Sequence, residues 1–392
     1  KLLFKNLESG EPRDKEVAMF VGGCVRNYLR SKPINDIDIA TIFTPDELKK
    51  KLQNSNFKII ETGLEHGSVT VVLDNKKFEF TTLRKDISTD GRHAEIETIN
   101  NWKEDSKRRD FTINAIYLSK KGKIFDPQKG VDDLNNNIVK FIGDPQTRIE
   151  EDFLRIIRFL RFSIQYNSVV ENTTVQAIKL KLNGIKNLSK ERILSELFKI
   201  LKLKNFLNIV DNKELLEIFA LVFPEFKNIE RLKNFQLLKT LIENTEILIL
   251  SILLVDLKDN HEYFSHKYKV SNRIYNNLAL IGDNFKQLKK DKEFFKKKLK
   301  ANLYRLGFKN LKILFCLNLL DKNRINIKKE KSFFRKIEKT PLPKLPIDGK
   351  YLIKRGIKEG KKIGNVLKEA ESVWIDKDFN LSSEDLEKII KK

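Results

Sequence analysis

From about Glu150 to about residue 330 the chain repeats Leu, Ile, Phe and Lys at helical spacing with few Gly or Pro, and a stretch so patterned folds as packed helices. The residues before it do not share that period. An apolar run at 17–21 ends in Gly22-Gly23 and passes into a helical pattern lasting to Arg30. Residues 34–40 alternate apolar and polar side chains, as a strand does. Thr44-Pro45-Asp46-Glu47 predicts a helix start, with Thr44 as cap, Pro45 in the first position and Glu47 three residues after the cap. Ser68–Leu73 and residues 77–83 read as two more strands joined by the turn-prone Asp74-Asn75. Residues 86–104 are polar, contain Asp90-Gly91, and are expected to form a mobile loop. Residues 111–118 resume a strand or helix, and Gly122 marks a turn. The chain is therefore predicted to be α+β, a mixed front followed by an all-helical rear. Pro341, Pro343 and Pro346 form a stiff connector that sets off the last segment.

At 392 residues, 40% of them apolar and 33% charged, there is material for two to four compact units. The longest apolar run, residues 247–255, is broken by Ser251 and falls short of the ~18–20 residues of a membrane span. Residues 1–20 mix acids with bases and show no apolar signal-peptide core. Cys24 and Cys316 alone cannot staple a disulfide scaffold or build a cysteine-rich zinc module, and they fit a reducing cytoplasm. The net charge of +23 is unevenly spread. Residues 1–150 hold 26 Lys and Arg against 24 Asp and Glu, whereas residues 151–392 hold 51 against 30. A near-neutral front and a strongly basic rear point to chemistry in the one and a polyanion held by the other, unless the lysines only solubilise the surface.

Asp36 and Asp38 stand two apart on a predicted strand, so their carboxylates share a face. Such a pair can hold one or two Mg²⁺ ions, which prefer hard oxygen ligands and bridge to phosphate. Upstream, Gly22-Gly23 between strand and helix lets backbone N–H groups approach a phosphate, and Arg26 one turn on can pair with its charge.

Taken in order, these residues become recognisable. Gly22-Gly23-Cys24-Val25-Arg26 followed by Asp36-Ile37-Asp38 resembles the signature of the class II tRNA nucleotidyltransferases and bacterial poly(A) polymerases, in the polymerase-β superfamily. Arg108-Arg109-Asp110-Phe111-Thr112-Ile113-Asn114-Ala115 resembles the second motif, and Phe125-Asp126-Pro127 with Gly130 and Asp133-Leu134 the segment after it. Glu151-Asp152-Phe153-Leu154-Arg155 through Phe162 resembles the nucleotide-reading helix, and Glu191-Arg192-Ile193-Leu194-Ser195-Glu196 the last motif. The likeness covers about residues 17–200. It implies a catalytic head at 1–138, a helical neck at 139–200, and an RNA-binding body at 201–340 and tail at 341–392. Asn27 departs from the pattern, which usually has Asp after the arginine, and a weakened local salt bridge is expected. Glu79, alternating with aromatics in Phe78-Glu79-Phe80, is the candidate third carboxylate or else an ordinary outward strand residue.

Read as a helix from near Glu151, Phe153, Ile156, Ile157 and Leu160 gather on one side while Asp152, Arg155, Arg158 and Arg161 occupy the other. Three arginines in a lysine-rich protein favour planar, bidentate recognition over a merely solvated face. Cytosine and adenine each offer an amino donor beside a ring acceptor. A carboxylate from Asp152 can accept from either amine and Arg155 can donate to either acceptor. Uracil and guanine reverse that pattern and would leave buried groups unpaired, at roughly 1–3 kcal/mol per group. The resemblance implies the same selection of C and A without a template. Arg158 and Arg161 then serve phosphates or the orientation of the helix, and Arg109 the ribose or triphosphate.

Within the family, Glu61-Thr62-Gly63-Leu64-Glu65-His66-Gly67-Ser68-Val69-Thr70 is similar to the CCA-type sequence and not to the basic segment of the poly(A) polymerases. Residues 86–104, with Asp90-Gly91-Arg92, resemble the loop that CC-only relatives lack. No His-Asp dipeptide is present, so no phosphohydrolase activity is expected, and His93 reads as a loop residue that touches substrate or only solvent. The resemblance thus implies a nucleotidyltransferase in which the tRNA 3′-hydroxyl, activated at Asp36 and Asp38, attacks the α-phosphate of CTP or ATP and pyrophosphate leaves. Lysine-rich runs at 289–300 and 354–362 are candidates for gripping the tRNA, and no protein partner is implied. A poly(A) polymerase and a non-catalytic RNA-binding relative remain the alternatives.

Overall fold

The computed structural model describes residues 2–391 except 14, 54–56, 62, 65–66, 90–93, 323 and 358–359, and gives the backbone alone for 2, 86–89, 94–96 and 391. The chain divides into two compact units, Lys1–Pro224 and Glu225–Lys392.

The first unit opens with α1 (Leu2–Leu7), β1 (Ala18–Val21), α2 (Gly23–Leu29), β2 (Ile37–Thr41) and α3 (Pro45–Leu52). Then come β3 (Lys58–Ile60), β4 (Ser68–Leu73), β5 (Lys76–Thr82), β6 (Arg84–Thr89), β7 (Ala94–Thr98) and α4 (Trp102–Lys107). After β8 (Tyr117–Leu118) and β9 (Ile124–Phe125) the unit is helical, with α5 (Gly130–Asn135), α6 (Pro145–Glu151), α7 (Leu154–Tyr166), α8 (Asn172–Lys181), α9 (Lys190–Leu201) and α10 (Lys213–Val222). Among the described residues seven strands form a mixed sheet in the order β3-β4-β5-β2-β1-β8-β9, with β2 and β5 the parallel pair.

Local chemistry explains much of this. Thr44 and Glu47 form the expected capping box, Glu47 N–H donating to Thr44 Oγ1 and Thr44 N–H to Glu47 Oε2 (3.3 and 2.8 Å). Asp74 and Asn75 both adopt positive φ, which suits the tight hairpin between β4 and β5. Leu3, Phe4 and Leu7 of α1 and Leu48 and Leu52 of α3 join Val69, Val71 and Phe80 of the sheet in one core. Residues 86–104, expected as a loop, instead contribute most of the antiparallel β6–β7 ribbon and the start of α4. Their polarity misled because a two-stranded ribbon needs no apolar face; Asp90-Gly91-Arg92 and His93 lie outside the described residues.

The second unit is helical, as the periodicity predicts. It comprises α11 (Arg231–Leu238), α12 (Glu246–Leu254), α13 (Asn260–Tyr268), α14 (Asn272–Lys290), α15 (Leu299–Leu320) and α16 (Ile327–Lys339), then α17 (Gly349–Lys354), α18 (Lys361–Asp376) and α19 (Ser383–Lys391). α12 is buried from Leu248 to Leu254, which is why it is apolar all round. The proline connector separates α16 from the last three helices, which enclose a core of their own around Leu352, Val366 and Ala370. No helix among the described residues is long and apolar enough to cross a membrane.

Candidate active site

β1 delivers the chain into Gly22, whose φ of +72° is left-handed and suits glycine. A Cβ on Gly22 would lie 3.7 Å from Asp38 Oδ2, and one on Gly23 would lie 4.0 Å from it, so bare backbone faces that carboxylate. The Cys24 thiol donates to Val21 O (3.2 Å) and lies 3.5 Å from Asp38 O, tying the turn to β2. Asp38 sits on β2 in register with Glu79 of the parallel β5, whereas Asp36 is exposed and precedes the strand. Burial raises the pKa of Asp38, and the charges of Glu79 and Asp36 add to the effect against Arg109 and Arg26. A crowded set of hard oxygen donors whose mutual repulsion a cation would relieve fits a divalent metal. The three carboxylates are not drawn as tightly together as Asp259, His261 and Glu262 in the second unit, whose ligand atoms lie within 4.8 Å of one another. There the Lys286 ammonium already pairs with Asp259 at 2.5 Å, which supplies the positive charge.

Both front arginines are held by protein. Arg26 is buried, donating to Asn114 Oδ1 and to the Tyr166 hydroxyl (3.3 Å) over the Phe162 ring. Arg109 donates to Asp105 Oδ2 (Nη2, 3.2 Å) and to the Tyr117 hydroxyl (3.1 Å), and Tyr117 itself donates to Asp105 Oδ2 (2.7 Å). Asp126, in the segment after the second motif, accepts from Gly130 N–H and Val131 N–H, both at 2.8 Å. That motif therefore shapes a turn. Asn27 donates its amide to Pro33 O (2.8 Å), a bond a carboxylate could not make; no salt bridge stands there among the described residues.

Asp152 does not lie on a helix. It sits in the break between α6 and α7 with extended backbone (φ −156°, ψ 106°). Its Oδ1 accepts from Leu154 N–H (3.0 Å), its Oδ2 from Arg192 (2.8 Å). The break ends α6 at Glu151 and leaves Asp152 extended, with its carboxylate still near enough for its charge to act on Arg158. Arg155 donates to Glu151, to Arg148 O (2.8 Å) and to Arg108 O (3.3 Å), leaving Nε–H and one Nη2–H uncommitted among the described residues. Arg158 clasps Asp110 with Nε (2.8 Å) and Nη2 (2.6 Å), and Arg161 donates to Glu196 (2.7 Å). Burial would raise the Asp110 carboxyl, but Arg158 and Asn114 hold it far below its usual range. Each arginine of the face thus meets an acid of the protein. The apolar side packs as expected, with Ile156, Ile157 and Leu160 buried.

The sequence motifs do not single out Arg148 or Asp105, and they contain Glu151, Arg192 and Glu196 without giving them a role. The signal for the pairs was the excess of acids three or four residues from arginines, as in Asp105–Arg109 and Glu151–Arg155. Thr62, Glu65 and His66 lie outside the described residues.

Comparison with known proteins follows the same lines. The family model of the Poly A polymerase head domain matches residues 18–140, and that of the "probable RNA and SrmB-binding site of polymerase A" matches residues 169–230. The chain is 32% identical over 380 residues to the mitochondrial CCA tRNA nucleotidyltransferase 1 of Danio rerio, covering 93% of this chain and 85% of that one. It is 32% identical over 372 residues to the CCA-adding enzyme of Ligilactobacillus salivarius, covering 90% and 87%. In fold it is similar to the Bacillus stearothermophilus CCA-adding enzyme solved with CTP, with a TM-score of 0.72, 23% identity, and coverage of 99% of this chain and 95% of that chain.

Proposed function

The chain belongs to the CCA tRNA nucleotidyltransferase family, and from that premise we propose how its own residues carry out the reaction. The activity is template-independent addition of C, C and A to the 3′ end of tRNA from CTP and ATP, with release of pyrophosphate. The observation that carries it is the match to enzymes of that name along nearly the whole chain.

The family uses a divalent metal. Asp36 and Asp38 would hold it, with Glu79 in register beside Asp38 as the third carboxylate, and we infer Mg²⁺ from the all-oxygen donor set. When bound, the ion supplies activation of the tRNA 3′-hydroxyl and neutralises charge on the triphosphate. The glycine turn leaves backbone room for that triphosphate opposite Asp38. Arg109 and Arg26 already act electrostatically on Asp38, and the same field favours phosphate.

Base selection falls to Asp152 and Arg155. Arg192 and the Leu154 N–H fix the carboxylate while each oxygen keeps a further lone pair for an amine. Carbonyl oxygens and Glu151 fix the guanidinium, whose uncommitted N–H groups can donate to the ring nitrogen of cytosine or adenine. Arg158 and Arg161, each bound to an acid, serve to orient α7. We assign residues 1–138 to the head, 139–200 to the neck, 201–340 to the body and 341–392 to the tail. Both cysteines are free and buried, which supports a reducing compartment, and we infer the cytoplasm.

Labelled CTP and ATP incubated with tRNA lacking its 3′ end should give growth by C, C and A that then stops. An open-ended A ladder would mean a poly(A) polymerase, and no label a non-catalytic binder. Undiminished CTP incorporation by Asp36→Ala would sink the metal assignment.

A further inference from the structure

The second unit contains a cavity of about 540 Å³ formed by the end of α14 and the segment after it, the C-terminal turns of α15 and the first turns of α16, a volume able to take a nucleotide. Its residues lie between 288 and 336, outside both segments matched by the family models. Five lysines line it: Lys292, Lys296, Lys322, Lys329 and Lys336. Lys296 has only a long, exposed contact with Glu293 (3.7 Å), and no ion pair is found for the other four among the described residues. Two acids share the wall. Asp291 is committed to Lys298 (2.8 Å), and Glu330 is buried. The lining therefore carries an excess of three positive charges in one concavity, which is repulsive unless an anion enters.

Beneath the cationic rim the surface is aromatic. Phe333 lies over Phe315 with centroids 4.3 Å apart, and Phe295 meets both rings edge-on at 5.2 and 5.9 Å. Phe315 is buried, while Phe295 and Phe333 stay half-buried and keep surface toward the cavity. Asn318, Ser332 and Glu330 supply the few polar groups able to meet a base edge. The half-buried ring of Phe333, a handful of donors and acceptors and a lysine rim match a nucleoside phosphate. An acidic peptide would use the rim but leave the ring bare.

We propose that this cavity seats one unstacked nucleotide of the tRNA substrate, its base against Phe333 and its phosphates among Lys292, Lys329 and Lys336. The proposal rests on the tRNA nucleotidyltransferase reading above and deepens it. It also gives a place to part of the lysine run at 289–300, singled out in the sequence.

The test uses the full chain and tRNA lacking its three terminal nucleotides, with Kd measured across a salt series and kcat measured at saturating tRNA. The triple variant Lys292→Ala/Lys329→Ala/Lys336→Ala should weaken tRNA binding about tenfold or more and flatten the salt dependence by about two to three phosphate contacts. Its kcat should stay at the wild-type value. Phe333→Leu should weaken binding about fivefold with the salt slope unchanged, and Phe333→Tyr, which keeps a stacking ring, should restore it. The idea is overturned if Lys50→Ala/Lys58→Ala/Lys121→Ala, a matched set of exposed lysines in the head and outside the RNA-binding body, weakens binding as much. It is also overturned if Phe333→Leu and Phe333→Tyr bind alike. A second ATP site on the wild type that the cavity triple removes would identify free nucleotide as the occupant and overturn the RNA assignment. Failure of the wild type to extend tRNA at all would instead sink the functional reading, so the two outcomes are separable.

Discussion

Arg192 donates to Asp152 Oδ2 over 2.8 Å, and that bond joins α9 to the break between α6 and α7. Both side chains are partly exposed (29% and 19%), so the pair itself should contribute no more than about 1 kcal/mol of stability. Its larger effect is on aim, because the carboxylate proposed to meet the base amine is held on one side by Leu154 N–H and on the other by Arg192. Arg192→Ala should therefore raise KM for CTP and ATP about tenfold and increase UTP incorporation, with little change in melting temperature. Wild-type discrimination in that variant would remove Arg192 from the specificity apparatus.

How much of this was legible in the sequence depends on the distance between partners. The Thr44 cap and the Asp74-Asn75 turn were readable because everything that decides them lies within four residues. Asp38 and Glu79 could be nominated separately, but their pairing comes from β2 and β5 lying parallel with the two residues in register, although they are 41 positions apart in the chain, which no local pattern encodes. The helix break at Asp152 contains neither Gly nor Pro, and the apolar periodicity runs straight through it. The side chain itself takes over the capping of Leu154, an arrangement completed by Arg192 from a later helix. Arg26 looked free for phosphate because Asn114 and Tyr166, its partners, are far along the chain.

Acid stability should carry the mark of Asp105. Burial raises its pKa, but Arg109 and Arg108 outweigh burial and bring it to about 2. A folded pKa below the unfolded value of about 3.9 means stability that is present above pH ~4 and lost as the pH falls toward 2. The difference is worth about 2 kcal/mol, roughly half of it gone by pH 3. Asp105→Asn should be less stable at neutral pH by about 3–5 kcal/mol, because two arginines lose their buried partner. Between pH 6 and pH 3, however, it should lose about 1 kcal/mol less than the wild type in denaturant titrations. Equal acid losses would show that the carboxylate is not held low.

Gly130→Ala tests whether the second motif shapes the site. A Cβ there would come within 2.1 Å of Thr112 O, which is backbone and cannot rotate away. The 112–114 turn would have to move, and with it Asn114, which accepts from Arg26 and donates to Asp110 (2.6 Å). A loss of roughly 1–3 kcal/mol and a higher KM for CTP are expected. Gly364→Ala, on α18 with nothing within 4 Å of its Cβ, should go the other way and gain about 0.5–1 kcal/mol. The same sign for both substitutions would rule out the steric account.

Asn27→Asp restores the residue usual in the resembling family and should nevertheless impair this chain. The Asn27 amide donates to Pro33 O at 2.8 Å, and its own carbonyl accepts from Lys32 N–H at 2.8 Å. These two bonds anchor residues 31–36, which approach β2 without strand pairing and end on Asp36. An aspartate would set a carboxylate oxygen against the Pro33 carbonyl, losing a bond worth about 1 kcal/mol and adding repulsion. The consequence should be local: apparent Mg²⁺ affinity three- to tenfold weaker, activity recovered by added metal, and a nearly unchanged melting temperature. Asn27→Ala, which loses the donor without adding charge, should fall between the two. If Asn27→Asp showed the wild-type metal dependence, the Pro33 anchor would have no part in placing Asp36.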